Sequence, residues 1–502
     1  MVKELRINEP TKVLIPKDLT EIELSQLKAG LTYTNKSALF QLQRLHANAR
    51  WYEGREDEYQ EQEKELKKQA KVCLLFEENE HYWTWSGLTD YVAKKLRAKV
   101  INNVVYPKAK LLPWDKKPTK VMYPFQEESH DNLLKVRHGG VQIGTGLGKS
   151  LIIINLIKSL GLKTLVMSPS TSISNQLYKE LLLLFGKKNV GRFFGGKKES
   201  KKLIVVGNAQ SLTRVVEGSE DWKNLASSSV FIADESHQCP ASTLAKVCFG
   251  LVSQSPYRFF FSATQMRNDG SDLLLDGITG PIVYEMTVRQ GIEQGYLAKP
   301  VFKMFEVKPN GEYFHPDPNV MTRHHLYYNP EIVKTVGKLV NAALDAGLST
   351  LVLIEEVEQF TKLLPYLKHE VGFAHGPLTE NKDKVPSEYH DSDPDKLVED
   401  FNSGKLKFLV GTSCISTGTD IQPVKFMVYW QGGSSEVQVK QAIGRTTRKP
   451  NGKTFCHVVD FMVNDETMDS NGNTKNGPVG RHCMVRKEIY DDIYGPVTFA
   501  RM

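Results

Sequence analysis

The chain reads as an α/β protein: two tandem doubly wound parallel-sheet domains, preceded by a small α+β unit. Three observations predict this. At 502 residues the chain is longer than one hydrophobic core fills, and about three domains are expected. From Val121 onward, short apolar runs alternate with helical stretches, the pattern of buried parallel strands joined by helices. The alternation pauses near "LAKP" (297–300) and then resumes, which makes two such domains in series.

In chain order, residues 1–118 form the small unit. "TKVLIP" ends in a strand, residues 52–71 carry charges of both signs at helical spacing, and "HYWTWSGLTDYVAKKL" (81–96) gives an aromatic strand, a turn and an amphipathic helix. An aromatic strand of this kind usually packs a core; stacking on unpaired bases is the alternative. "LLPWDKKPTK" (111–120), with two prolines and no periodicity, reads as a linker. Residues 119–300 hold the first parallel-sheet domain, with strands at "TLVM" (164–167), "LIVV" (203–206), "VFIA" (230–233) and "RFFFS" (258–262). Residues 301–465 hold the second, with strands at "TLVLI" (350–354), "FLVGT" (408–412), "FMVYW" (426–430) and "HVVDF" (457–461). Residues 466–502 read as a polar loop and a tail without recognisable chemistry.

Composition excludes several classes. A chain that is 40% apolar and 25% charged is globular rather than disordered. No apolar run approaches the ~18 residues that span a bilayer, and the N-terminus lacks a signal-peptide core, so a cytoplasmic protein without membrane contact is expected. The six cysteines show no C-x-x-C spacing, which argues against both a zinc ribbon and a disulfide framework. Cys456-His457 and His482-Cys483 lack the spacing of zinc sites. Net charge is only +7, but it is clustered. Nine Lys or Arg against one acid lie between Lys94 and Lys120, and seven against one between Lys187 and Lys202. Two such runs flanking one domain suggest a polyanionic partner.

The chemistry concentrates in two places. "GTGLGKS" (144–150) follows a strand and opens a helix. There Gly144, Thr145, Gly146 and Gly148 let backbone N–H groups cradle phosphates, Lys149 reaches the β- and γ-phosphates, and Ser150 ligates Mg²⁺. Ile143 occupies the position where the strict G-x-x-x-x-G-K-[ST] pattern has glycine. "VFIADESH" (230–237) ends a buried strand on two adjacent carboxylates. Asp234 suits a second Mg²⁺ ligand and Glu235 the base that orients the attacking water, their repulsion being offset by the metal and Lys149.

These residues sit within an ordered series that resembles superfamily 2 helicases of the DExH type. "YPFQEESHDNLL" (123–134) is similar to the adenine-reading element, with Gln126 toward the base. "SPSTSISNQ" (168–176) resembles motif Ia, "VVGNAQSL" (205–212) motif Ib, "SAT" (262–264) motif III, "TLVLIEE" (350–356) motif IV, "GTSCISTGTDI" (411–421) motif V and "QAIGRTTR" (441–448) motif VI. The resemblance implies RecA-like domains and an ATP hydrolase using Mg²⁺. It further implies that Gln441, Arg445 and Arg448 stabilise the transferring phosphoryl group, with Gly418 and Asp420 also on the nucleotide. Ser168, Ser170, Asn208, Gln210, Thr412 and Ser413 would contact backbone phosphates, although Asn208 stands where the family usually has Thr. His237, Ser262 and Thr264 would couple the two sites.

"SATQMRNDG" (262–270) and "GIEQGYLAKPVF" (291–302) resemble stretches of phage recombination helicases of the UvsW type and of RecG-like enzymes. That implies a monomer acting on branched or forked DNA beside phage or host recombination and replication proteins, in a bacterial host. Residues 1–118 would then recognise the branch. A double-stranded DNA translocase serving a nuclease, an RNA-directed ATPase and a non-enzymatic nucleotide clamp remain as alternatives.

Overall fold

The computed structural model describes residues 3–236, 241–263, 272–378, 382–416, 421–449, 453–468 and 474–501. The chain divides into two units, one of Met1–Ile143 with Lys149–Met286 and one of Gly144–Gly148 with Thr287–Met502.

The first unit contains two sheets. The N-terminal sheet has five strands in the order Phe76–Glu78, His81–Trp85, Lys12–Pro16, Glu4–Glu9, Lys99–Asn102. It is antiparallel except for the last pair. The helix Thr89–Leu96 covers it, burying Val92 and Leu96 against Leu5, Val13 and Ile15. The charged segment forms the helix Glu56–Ala70, which pairs with Lys36–Ala47 as an exposed helical hairpin.

The second sheet has seven parallel strands in the order Val190–Phe193, Ile204–Asn208, Thr164–Ser168, Val230–Ala233, Tyr257–Ser262, His138–Ile143, Ile282–Met286. Its central strands Thr164–Ser168, Val230–Ala233 and Tyr257–Ser262 are buried at every position. This explains why they read as unbroken apolar runs rather than alternating ones.

The two sheets are packed together within this unit. Trp85 lies flat on Phe249, ring centroids 3.4 Å apart at 7°, and Leu273 and Leu274 join the N-terminal core. Trp83 stacks on Phe76 instead. Tyr82 and Trp85 of the aromatic strand therefore pack against the core. Residues 111–120 form no regular element, but they are pinned rather than free. Lys110 and Leu112 donate backbone hydrogen bonds to Leu160 and Lys158, Asp115 to Leu184, and Trp114 stacks on Phe185.

The second unit carries another seven-stranded parallel sheet, in the order Gly372–Ala374, Phe408–Gly411, Thr350–Ile354, Phe426–Trp430, Phe455–Val463, Lys299–Val307, Thr498–Arg501. Lys299–Val307 alternates buried and exposed side chains over much of its length, and for that reason it does not show as an apolar run. The segment expected to be a tail is structural. The helix Pro478–Ile493 packs on the strand Phe455–Val463, and Thr498–Arg501 closes one edge of the sheet. Arg486, fully buried, donates to both carboxylate oxygens of Asp460 at 2.8 and 3.0 Å, and the Tyr490 hydroxyl donates to the same carboxylate at 2.8 Å. Among the described residues, no helix is long and apolar enough to cross a membrane.

Candidate active site and nucleic-acid rim

In an open parallel sheet, chemistry collects at the carboxyl ends of the strands. The strand His138–Ile143 delivers the glycine-rich loop, and the helix Lys149–Leu160 follows it, with Ser150 half-buried in its first turn. Gly146 and Gly148 have φ of +88° and +78°, a left-handed conformation that side chains disfavour. Ile143 is still the last strand residue, fully buried and paired with Met286. A glycine is not required there because the turn starts one residue later.

Lys149 is buried. Its ammonium donates to the Ile143 carbonyl at 3.2 Å and pairs with Glu235 at 3.0 Å. Asp234 extends the ladder of Val230–Ala233 by one bond, its N–H donating to the Met167 carbonyl at 2.8 Å. The chain then turns sharply: Glu235 has φ +49°, and its N–H donates to Asp234 Oδ1 at 3.0 Å. Burial, followed by the neighbouring Glu235 charge, raises the Asp234 carboxyl to about 7, with Lys149 opposing the shift. A buried carboxylate whose charge is unfavourable as it stands suits a hard divalent cation. No cluster of three or more His, Cys, Asp or Glu side chains able to hold a metal occurs among the described residues.

Sequence reasoning does not single out Ser236. It is buried, and its hydroxyl donates to the Phe261 carbonyl at 3.3 Å, tying the carboxylate turn to the strand that ends at the buried Ser262. Only its place inside the DESH run could have pointed to it. Gln126 is buried, and its carbonyl accepts from the Tyr123 N–H at 2.8 Å, so it starts the helix Pro124–Val136. His237, Thr264, Gly418 and Asp420 lie outside the described residues.

The expected phosphate contacts divide into two groups. Ser170, Gln210 and Ser413 are exposed. Ser168 is fully buried, its hydroxyl 2.5 Å from that of Ser174. Asn208 is also buried; it donates to the Thr171 hydroxyl at 2.9 Å and accepts from the Ser211 N–H at 2.8 Å. It joins the start of the helix Thr171–Asn189 to that of Ala209–Leu212, which a threonine is too short to do in both directions. Thr412 is buried, with its N–H on the Ala374 carbonyl.

In the second unit, the helix Glu436–Ile443 carries Gln441, half-buried. Arg445 is buried, and Arg448 donates to the Ile421 carbonyl at 3.2 Å. The Thr446 and Thr447 hydroxyls turn back onto the carbonyls of Ile443 and Gly444, fixing the turn that presents both arginines.

A phosphate loop, a buried lysine and a paired acid at the strand ends define a nucleotide hydrolase of the two-lobed kind. Comparison with known families narrows this. Residues 119–267 match the family described as the res subunit of type III restriction enzymes, and residues 333–450 match the helicase conserved C-terminal domain. The chain belongs to the superfamily 2 helicases and hydrolyses ATP.

Relatives include the DNA 3'-5' translocase XPB2 of Sulfurisphaera tokodaii, 22% identical over 65% of this chain and 78% of that protein. Another is the Escherichia phage T5 protein named "Probable helicase D10", 24% identical over 64% and 67%. Solved structures with the same fold include the restriction-modification enzyme LlaBIII bound to DNA, at TM-score 0.53, 13% identity and 77% of this chain against 31% of that one. A Leu-to-Val variant of Dbp5 of S. cerevisiae bound to RNA and ADP BeF3 follows at TM-score 0.50, 15% identity, 75% and 89%. T4 UvsW aligns over 100% and 99% at TM-score 0.42 and 14% identity.

Proposed function

We propose that this helicase acts on DNA and remodels branched substrates, reversing forks and migrating four-way junctions in replication, recombination or repair. One observation carries the reading furthest. The N-terminal sheet is fixed to the first parallel sheet by the Trp85–Phe249 stack and by the pinned segment 111–120. A motor that only tracks a backbone has no need of such an attachment. An element that must hold a second duplex arm while the motor pulls does need a rigid one. The likeness to a DNA 3'-5' translocase supports DNA as the track.

In the ATPase step, Glu235 orients and deprotonates the attacking water, held in place by its backbone turn. Lys149 exchanges Glu235 for nucleotide phosphates when ATP arrives. Asp234 and Ser150 would hold Mg²⁺, which supplies charge neutralisation on the β- and γ-oxygens. Arg445 and Arg448 stabilise the transferring phosphoryl group, and Gln441 supports them. Gln126 stays near the base, while Ser170, Gln210 and Ser413 meet backbone phosphates. Ser168, Asn208 and Thr412 act from beneath, by shaping those turns.

The test is strand separation by the whole protein on a four-way junction, a fork, a linear duplex and an RNA duplex, with ATP and Mg²⁺. Preference for the junction and fork is expected. Equal activity on linear duplex would leave a plain translocase, and preference for the RNA duplex would replace DNA with RNA.

A further inference from the structure

The first unit holds a cavity of about 330 Å³ that the ATPase chemistry does not use. That is the small end of the ligand-pocket range. It opens at the carboxyl ends of two adjacent strands, Val190–Phe193 and Ile204–Asn208, beside the helix start that Asn208 caps. Phe193, Phe194 and Val215 form its apolar wall. The two phenylalanines are almost wholly buried, so they give a floor rather than a broad stacking face. Val216 lies at the mouth, 72% exposed.

Three cations stand around this cavity; Ser211, Ser219 and Asp221 also line it, and the Asp221 carboxylate is engaged, accepting from the Ser200 hydroxyl at 2.6 Å. Lys197 and Lys198 follow Gly195 and Gly196, whose φ values of +59° and +75° turn the chain back over the strand end. Arg214 belongs to the opposite wall. Neighbouring lysines are already engaged: Lys201 pairs with Glu220 at 2.6 Å, and Lys202 donates to the Lys187 carbonyl at 2.9 Å. The side chains of Lys197, Lys198 and Arg214 make no hydrogen bond or ion pair among the described residues. A hollow with an apolar wall, and with three uncommitted cations against the one acid Asp221, matches a group that is flat and apolar at one end and anionic at the other.

Resting on the reading of this chain as a DNA helicase, we propose that the cavity receives one unpaired nucleotide of the DNA strand, its base against Val215 and the phenylalanine floor, its flanking phosphates on Lys197, Lys198 and Arg214. The position favours a strand over a free nucleotide, because Ser211, which lines the cavity, directly follows Gln210, one of the residues proposed to meet backbone phosphates. Such a pocket would hold a base displaced from pairing and retard its return to the duplex.

The test uses the full-length protein and two single strands with the same number of phosphates, oligothymidylate and its abasic counterpart. Wild type is expected to bind the thymidine strand about tenfold more tightly, the contribution of roughly one well-held base. Val216→Trp, at an exposed position, should fill the mouth and erase that difference without changing abasic binding. The Lys197→Ala, Lys198→Ala, Arg214→Ala variant should lower the salt dependence of both by about two logarithmic units of slope. Melting temperatures should stay at the wild-type value. A base preference that survives Val216→Trp overturns the pocket, as does full displacement of the strand by thymidine monophosphate at equal nucleotide concentration. If wild type binds neither strand, it is the DNA reading that fails.

Discussion

At the scale of single residues, the site was legible where chemistry is local and illegible where it depends on partners. A glycine at left-handed φ, a lysine after it and two carboxylates at a strand end are each dictated by what a phosphate loop needs. Their positions could be read from spacing. The buried hydroxyl of Ser168, the two-way bond of Asn208 and the Ser236 link to Phe261 depend on side chains far away in sequence. Two predictions belong here. Lys149→Ala should abolish ATP turnover, whereas Glu235→Gln should bind ATP and hydrolyse it at least ~10²-fold more slowly, the usual loss for a general base. Steady-state hydrolysis beside nucleotide binding checks both; normal turnover by Glu235→Gln would remove it as the base. The second concerns His138, half-buried beside Ser86, its Nε2–H donating to the Ile278 carbonyl at 3.0 Å. Desolvation, and then the Arg258 charge, lowers its pKa to about 4 from an ordinary 6.5. The unfolded chain therefore binds a proton that the folded one refuses between those values. Stability from this group is fully present above pH 6.5 and falls as pH drops towards 4, by ~3 kcal/mol at most. Melting curves of wild type and His138→Phe from pH 7.5 to 4.5 should converge in slope only above pH 6.5; parallel curves throughout would mean that His138 titrates normally.

At the scale of elements, apolar run length decided what could be seen. Strands buried on both faces announce themselves, as Thr350–Ile354 and Phe426–Trp430 did. The helix Pro478–Ile493 buries only scattered positions, including a charged one, Arg486, and it follows a polar loop. Its role rests on an ion pair that no periodicity reveals. A buried pair broken on one side leaves the other charge without compensation, which costs ~3–5 kcal/mol. Arg486→Ala should therefore destabilise the second sheet by that amount, and Arg486→Met should not rescue it while Asp460 remains. The double change Arg486→Met with Asp460→Leu should recover much of the loss, because the remaining charge is then gone. Urea unfolding of the three variants decides this; equal loss in all three would assign the effect to packing alone.

At the scale of the whole molecule, the sequence indicated a motor preceded by an added unit, but not how the addition is attached. The Trp85–Phe249 stack joins residues 164 positions apart, and nothing in either local sequence announces the pairing. The consequence is practical. Cutting the chain near Pro118 would expose Phe249, Leu273 and Leu274 of the first parallel-sheet lobe, so loss of activity after truncation would not isolate recognition from folding. Surface charge gives a cleaner test. All nine Lys and Arg between Lys94 and Lys120 are exposed, and none forms an ion pair among the described residues. Changing Lys94, Lys95, Lys99 and Lys108 to Gln leaves the apolar packing intact and removes only charge. If this unit grips a second duplex arm, four-way junction affinity should fall, and its slope against the logarithm of salt should flatten by roughly one unit for each phosphate no longer neutralised. Binding to a linear duplex should change much less, since the motor's own rim is untouched. A salt titration of both substrates on the full-length variant measures this directly. Equal weakening on junction and linear duplex would mean that the basic run grips the track in general, and the branch would then have to be recognised by the motor itself.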